Sequence, residues 1–437
     1  MSLRPLLVLA AVALTAVAAY FIWDGRRELP ELPRDREEMT PSAEFDDAAE
    51  AADYYRAWLR REPDAVEPRV RLAHALLQLA TETGDETRYL PEAQEALEGA
   101  LERDPEHYYG RTIYASLLNK LHRFEEARDL SRALLEDHPA HAYVHGTLID
   151  ALVELGEYDE ALAASDRLQG LRPGLPAYSR ASYLRELHGD GDGAIAAMRR
   201  AADAEPHGRL GRAWALAELG HLYIGAAKPD TAAFLFQGIL EERPSFAPAV
   251  VGLGRVALAK GDAKAAVRHL EEARSMGAGE AADEGLVEAY ALLGMDADAK
   301  AAEARVLAAL HAAREMGEIV DMEEADWLLD TGERFDDALR MAKAQVERRP
   351  GHLHANETYA WALMHTGSAE RAIPYIERAM RLGTGDGMVH YRAGRIYEAA
   401  GRAEQARAQY RAALDANVNA ESPLTAGDIR ERLGASA

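Results

Sequence analysis

The chain has 437 residues, and its 74 acidic and 50 basic side chains give a formal net charge of −24. Such acidity argues against nucleic acid as a partner, because that binding depends on clustered lysine and arginine. The sequence has no cysteine, so disulfides, thiol catalysis and cysteine-based zinc sites are excluded. The acidity either serves solubility or favours a basic partner.

After a short tail of residues 1–5, residues 6–23 form the first predicted element, an uncharged run that ends in aromatic residues. As a helix it would extend about 27 Å, close to the roughly 30 Å hydrocarbon core of a bilayer. Aromatic side chains also favour the membrane interface. The run therefore predicts a single-pass membrane anchor. Because Ala16 and Ala18 have the spacing of a cleavage site, a signal peptide is the alternative.

The charges around this run bear on its orientation. One arginine precedes the run and four follow it closely, namely Arg4 and then Arg26, Arg27, Arg34 and Arg36. The positive-inside rule then predicts an inner-membrane protein whose remaining chain faces the cytoplasm. A signal peptide would instead deliver the chain to the periplasm or the outside. Residues 24–44 are proline-rich and acidic, which predicts an extended spacer.

A repeat of about 34 residues runs through the rest of the chain. Each unit has an alanine that starts its second half, and these alanines are Ala51, Ala93, Ala127, Ala161, Ala194, Ala232, Ala266, Ala299, Ala338, Ala372 and Ala406. The clearest unit reads Leu216-x2-Leu219-Gly220-x2-Tyr223, then Ala232-x3-Phe236, then Pro244. Apart from leucine for tryptophan at the first position, this is tetratricopeptide (TPR) spacing. Residues 45–433 thus resemble TPR proteins.

The resemblance implies an all-α, right-handed superhelix of about ten to eleven helix–turn–helix repeats, whose first helices line a concave groove that receives a peptide or a partner domain. We expect a first sub-array over residues 45–278, a degenerate repeat or joint over 279–315, and a second sub-array over 316–421. A capping helix and tail follow over 422–437. Six glycines are predicted to end first helices in the left-handed conformation: Gly156, Gly189, Gly261, Gly294, Gly367 and Gly401.

A weaker resemblance concerns the membrane run and covers some ten residues. Ala18-Ala19-Tyr20 followed by Gly25-Arg26-Arg27 is similar to the anchor of the lipopolysaccharide-assembly TPR proteins. That likeness implies a topology with cytoplasmic repeats. Those proteins end in a cysteine-based metal-binding module, which this cysteine-free chain cannot form, so the likeness implies no shared function.

Repeat register places eight candidate partner-binding residues on the groove: Trp214, His221, Arg255, Trp327, Trp361, His365, Tyr391 and Arg395. Tryptophan, tyrosine and arginine dominate interface hot spots, although each aromatic could instead pack between neighbouring repeats. Residues 368–411 carry eight arginines against five acidic residues. The C-terminal repeats are therefore predicted as the main contact region, with an acidic peptide as one possible ligand.

The sequence carries none of the motifs for phosphate loops, zinc proteases, nucleophile elbows or dinucleotide binding. We expect a non-catalytic scaffold without a cofactor, which binds protein or peptide partners and assembles or regulates a complex of the bacterial envelope. One alternative is a secreted or periplasmic binding protein. The other is a metal-binding or enzymatic role for two histidine groups: His138, His141 and His145, and His352, His354, His365 and His390.

Overall fold

A computed structural model describes residues 48–83, 86–332, 334–420 and 422–434. These residues form 22 α-helices and two short 3-10 turns, without a strand. The predicted all-α repeat fold is thereby confirmed. The predicted membrane run and spacer lie outside the described residues. Within the described part of the chain, every helix is too short or too polar to traverse a bilayer.

Ten helix pairs follow one another, flanked by a single helix at each end of the described chain. The first helices of the pairs are α2 (Val66–Thr83), α4 (Tyr108–Lys120), α6 (Ala142–Leu155), α8 (Leu175–Leu187), α10 (Leu210–Gly225), α12 (Ala247–Ala259), α14 (Gly279–Leu292), α16 (Asp321–Asp330), α18 (Leu353–His365) and α20 (Gly387–Ala399). The second helices are α3 (Glu86–Arg103), α5 (Phe124–Asp137), α7 (Tyr158–Leu171), α9 (Gly191–Asp203), α11 (Pro229–Glu242), α13 (Ala263–Ser275), α15 (Asp296–Glu315), α17 (Phe335–Arg348), α19 (Ala369–Ala379) and α21 (Ala403–Asp415). The flanking helices are α1 (Ala48–Leu59) and α22 (Pro423–Gly434).

Glycines on neighbouring first helices make room for large side chains of the second helices. Phe236 of α11 is fully buried, and its ring lies against both Gly220 of α10 and Gly252 of α12. A Cβ atom at either glycine would overlap that ring. Tyr410 packs in the same way against Gly394. The glycine of the repeat motif therefore serves close packing between helices.

Several histidines of the two sequence groups cap helices. The Nδ1 atom of His141 accepts a hydrogen bond from the backbone N–H of Val144 at 3.3 Å, and His352 accepts one from Ala355 at 3.2 Å. His107 has the same role at the start of α4. Each of the three stands two residues after a proline that ends the preceding repeat. This Pro-x-His signal explains these histidines as N-caps, which is a role for which no metal is needed.

The solenoid curves until distant repeats meet. Hydrogen bonds join residues between 192 and 197 positions apart, which is just under six repeats of 34 residues. The backbone N–H of Leu353 donates to the Tyr158 hydroxyl at 3.0 Å, and Asn417 donates to the carbonyl of Ile224 at 3.0 Å. We call α1–α14 the N-terminal array and α16–α22 the C-terminal array. The C-terminal array lies on the N-terminal array, and α15 joins the two.

The contact between the arrays recurs once per repeat. Gly351, ahead of α18, lies against Gly156 at the end of α6, and Gly383, ahead of α20, lies against Gly189 at the end of α8. Ion pairs support the same contact, with Arg348 2.8 Å from Glu125 of α5. Because both arrays have nearly the same repeat length, successive loops of one meet successive turns of the other.

Candidate partner-binding chamber

The two arrays enclose a chamber of about 1410 Å³. First helices α6, α8, α10, α12 and α14 line one side, and the first turn of α18, the loop before α20 and the end of α21 with the segment after it line the other. We call it the central chamber, and the lining residues that matter here are Tyr183, Glu186, Trp214, Glu218, His221 and Arg255. The concave groove implied by the TPR resemblance is thus partly covered by the chain's own C-terminal array.

Three of the eight predicted site residues line this chamber. Trp214 and His221 lie on α10 and Arg255 on α12. The Trp214 side chain is 37% exposed. Arg255 lies 3.8 Å from Glu284. The ring of His221 packs against Phe236, with the ring centroids 5.4 Å apart, and its nitrogens make no hydrogen bond to any described residue. Burial, together with Arg255, lowers the pKa of His221 to about 4, so its imidazole is neutral at pH 7.

The chamber also holds carboxylates that we had not predicted as site residues. Among the lining residues of the described chain, eight are aspartate or glutamate and two are arginine. Glu186 on α8 and Glu218 on α10 form no hydrogen bond or ion pair with any described residue. The signal that could have identified Glu218 is register, because Trp214, Glu218 and His221 are spaced i, i+4, i+7 on one helix face.

These carboxylates share a confined volume. Desolvation by the surrounding protein raises the pKa of Glu186 to about 7, and like-charge repulsion from Glu218 and Asp386 adds to this effect. Burial also raises the pKa of Glu218 and of Glu284. A desolvated carboxylate that lacks a cationic partner is held in the folded state at a cost in free energy.

Several other charged groups of the lining already have partners. Arg180 pairs with Asp150 at 2.6 Å. Asp386 caps α20 by accepting hydrogen bonds from the backbone N–H groups of Met388 and Val389. Glu288 accepts hydrogen bonds from Ser422 and from the backbone N–H of Leu424. Glu186, Glu218 and His221 are therefore among the polar groups of the chamber that are available to a ligand.

Four more predicted residues form a separate group, the C-terminal cluster, made up of Trp361, His365, Tyr391 and Arg395. Trp361 is buried, and its indole N–H donates to Asp330 at 3.1 Å. Arg395 donates to the Tyr391 hydroxyl at 2.8 Å, and Tyr391 in turn donates to Asp428 of α22 at 3.1 Å. The capping helix and the cluster's own hydrogen bonds thus occupy much of this face.

The eighth predicted residue, Trp327, lies at the joint between the arrays. It packs against Val306 and Leu310 of α15 and against Val320. The structure therefore does not bring the eight predicted residues to one surface. It places three in the central chamber, four in the C-terminal cluster and one at the joint.

Arg392 is a further residue of the C-terminal array whose role we had not predicted. Only 4% of it is exposed, and its guanidinium donates to Asp326 at 2.8 Å, to Asp330 at 3.0 Å and to Glu357 at 3.2 Å. These carboxylates come from α16 and α18, so Arg392 of α20 holds three first helices together. Arg392 is one of the eight arginines of the locally basic segment 368–411, but its guanidinium pairs with carboxylates of the protein itself.

Comparison with models of known protein families assigns this chain to a family. Models described as "Tetratricopeptide repeat" match residues 120–182, residues 87–131, 217–284 and 322–387, and residues 389–417. Together these segments cover more than half of the 437 residues, and they fall on helix pairs of both arrays. The chain belongs to the tetratricopeptide-repeat family.

Several solved structures are similar to this chain at low sequence identity. The crystal structure of the APC/C hetero-tetramer Cut9-Hcn1 is similar at 15% identity and a TM-score of 0.45, with 82% of this chain and 59% of that chain covered. The human IFIT1 dimer with PPP-AAAA is similar at 15% identity and a TM-score of 0.47, with 77% and 78% covered. This chain therefore spans less than two thirds of the first of these proteins. No curated protein sequence matches the chain.

Proposed function

We propose that this TPR protein is a non-catalytic adaptor that binds a segment of a partner protein in its central chamber. The observation that carries the proposal is the convergence there of Trp214, His221 and Arg255 with two carboxylates that lack partners within the described chain. The C-terminal cluster supports binding less well, because its polar groups already bind one another and α22.

The size of the chamber favours a peptide segment over a small molecule. Pockets for small molecules usually measure about 300–1,000 Å³. This chamber measures about 1410 Å³, which is larger than that range. A stretch of several residues of a partner chain would fill such a volume.

Site-specific photo-crosslinking tests this proposal. With p-benzoylphenylalanine in place of Trp214, we expect irradiation of cells to yield a covalent adduct to one defined segment of a partner, identified by mass spectrometry of the linked peptides. The matched control carries the same residue in place of Phe234 on α11, a side chain that is 74% exposed and outside the chamber lining. Equal yields at both positions, or an adduct at Phe234 alone, would contradict binding in the chamber.

We further propose that residues 6–23 hold the array at the inner membrane, where it assembles or regulates an envelope complex. The length of the apolar run and the arginines that follow it support this placement. We expect the full-length chain to stay in the membrane fraction after a high-salt wash and a chain that begins at residue 24 to be released. A soluble mature protein whose intact mass lacks the first 18 residues would instead support the secreted or periplasmic alternative.

A further inference from the structure

We infer that the occupant of the central chamber is cationic: a stretch of partner chain whose arginine or lysine side chains reach Glu186 and Glu218. The inference rests on the proposed function and adds the chemistry of the partner segment. It differs from the acidic ligand expected for the C-terminal repeats, because it concerns another surface with the opposite charge.

The first support is the charge balance inside the chamber. Eight carboxylates face two arginines and one protonated histidine among the described lining residues. Arg180 is already paired with Asp150. His354 is paired with Glu357, which raises the pKa of His354 to about 9 against the opposing effect of burial. The net charge of the whole chain is −24. Inside the chamber, the exposed side chain of Glu186 and the half-buried side chain of Glu218 make no hydrogen bond or ion pair with the described residues. Arg255 attracts Glu218, but its guanidinium lies 3.8 Å from Glu284. A ligand cation would supply the missing charge.

The second support is the pairing of each of these carboxylates with an exposed aromatic side chain. Tyr183 precedes Glu186 by three residues on α8, and Trp214 precedes Glu218 by four residues on α10, so each pair shares one helix face. Tyr183 is 42% exposed and Trp214 is 37% exposed, which makes them two of the few large apolar side chains left open in the described chain. An aromatic face beside a carboxylate is suited to a guanidinium or ammonium group, through a cation–π contact and an ion pair together.

The third support is His221, which lies on the same face of α10 as Trp214 and Glu218. Its imidazole is neutral at pH 7 and bonds to no described residue, so one ring nitrogen can accept a hydrogen bond from a ligand N–H. A neutral acceptor beside two carboxylates favours a donor-rich ligand. An anionic peptide would place its carboxylates against Glu186 and Glu218, where like charges repel.

Binding of a defined peptide tests the inference. The probe is fluorescein-labelled tetra-arginine, amidated at its C-terminus, and the full-length chain is titrated at pH 8 and 150 mM salt with fluorescence anisotropy as the readout. Tetraglutamate and a Gly-Ser tetrapeptide with the same label serve as reference probes. We expect tetra-arginine to bind at least tenfold more tightly than either of them.

Paired substitutions locate the binding. We expect Glu186→Gln with Glu218→Gln to weaken tetra-arginine binding at least tenfold, because both chamber partners lose their charge while keeping their size. The matched control is Glu241→Gln with Glu404→Gln, which removes the same net charge from two exposed helix positions outside the chamber. The control is expected to change the affinity less than twofold.

The dependence on pH gives a second readout. Glu186 faces Glu218 from α10 and Asp386 from the loop before α20, and its pKa is about 7. We therefore expect tetra-arginine to bind more weakly at pH 6 than at pH 8, as Glu186 takes up a proton. The paired chamber variant should lose most of this dependence, whereas the Glu241/Glu404 control should keep it.

Thermal unfolding separates lost binding from lost folding. The pKa of Glu186 is raised in the folded protein, so its ionised form destabilises the fold above about pH 7, and this effect disappears below the ordinary glutamate pKa near 4.5. We expect the paired chamber variant to unfold at the same or a higher temperature than the unmodified chain at pH 8. Weaker binding in a variant of equal stability would then result from the loss of the two charged groups in the chamber and not from unfolding.

The outcomes distinguish this inference from the proposed function. Equal tetra-arginine binding by the chamber variant and the control, or tighter binding of tetraglutamate, overturns the cationic occupant. Tight binding of spermine with no binding of tetra-arginine overturns a peptide segment as the ligand. If the adduct at position 214 forms but tetra-arginine binding does not depend on Glu186 and Glu218, the adaptor proposal stands and the inference fails. If no adduct forms while the chamber variant loses tetra-arginine binding, the adaptor proposal fails and the preference for a cation stands.

Discussion

Gly156→Ala is expected to destabilise the protein by about 2–5 kcal/mol and to separate the two arrays at this point. Gly156 has a φ of +74°, a conformation that costs an L-residue about 1–2 kcal/mol. In addition, the new Cβ atom would overlap the backbone of Gly351 and His352 in the loop before α18. Steric overpacking of this kind costs about 1–3 kcal/mol more, and here backbone rather than a flexible side chain has to move.

Gly261→Ala is the matched control for this substitution. Gly261 occupies the same position of its own repeat, with a φ of +77°, and a Cβ atom there would have no described atom within 4 Å. We expect it to cost only the conformational part, about 1–2 kcal/mol. Urea unfolding measures both losses, and small-angle X-ray scattering measures the expected increase in radius of gyration for Gly156→Ala alone. Equal losses in the two variants, with unchanged scattering, would contradict a tight contact between the arrays.

Arg392→Met is expected to destabilise the C-terminal array by about 3–5 kcal/mol, the usual loss when one partner of a buried ion pair is removed. Methionine keeps much of the volume, so the loss comes chiefly from the carboxylates of Asp326, Asp330 and Glu357, which lose their common cation. Burial already raises the pKa of Asp330. Without Arg392 these carboxylates would take up protons more readily, so the loss should be smaller at pH 5 than at pH 8.

Arg402→Met is the control for this prediction. Arg402 pairs with Glu370 at 2.9 Å, with both side chains exposed, and such pairs contribute about 0–1 kcal/mol. Tryptophan fluorescence during urea unfolding gives the measurement, because Trp361 lies 5.6 Å below the Arg392 guanidinium. A loss below 1 kcal/mol for Arg392→Met would show that the three carboxylates do not depend on it.

Local features of the repeat were predictable because they depend on near neighbours in the chain. The six glycines expected to end first helices all have positive φ, between 68° and 78°, since backbone sterics at a helix end favour glycine there. A helix, Pro423–Gly434, lies where we predict a capping helix from residue 422. The caps provided by His107, His141 and His352 escaped notice, although the Pro-x-His spacing that marks them was visible in the sequence.

The candidate site was predictable only in part. Register on a first helix determines which way a side chain faces, and this is why Trp214, His221 and Arg255 reach the central chamber as expected on the groove. Register does not determine whether other parts of the protein cover the groove face of the helix. Trp361 has an equivalent position in its own repeat, but Asp330 and Arg392 occupy its surroundings.

Two glutamates show the same limit of prediction from the sequence. Glu186 faces the chamber and Glu241 lies exposed on a second helix, and in the sequence both are glutamates of amphipathic repeat helices. They differ in whether another part of the chain lies opposite them across the central chamber. Loops almost 200 residues away in the sequence form the other side of the chamber, so the raised pKa of Glu186 has no local signal.

The amino-acid sequence by itself determined the repeat, its helix pairs and the left-handed glycines that end six of the first helices, because these depend on residues less than one repeat apart. The tertiary structure alone decided which of those glycines touch another array. Gly156 and Gly189 do so, whereas Gly261, Gly294, Gly367 and Gly401 face open space within the described chain. Small rotations between neighbouring repeats add up over nearly six repeats, so curvature brings the arrays together and forms the chamber without any single residue encoding it.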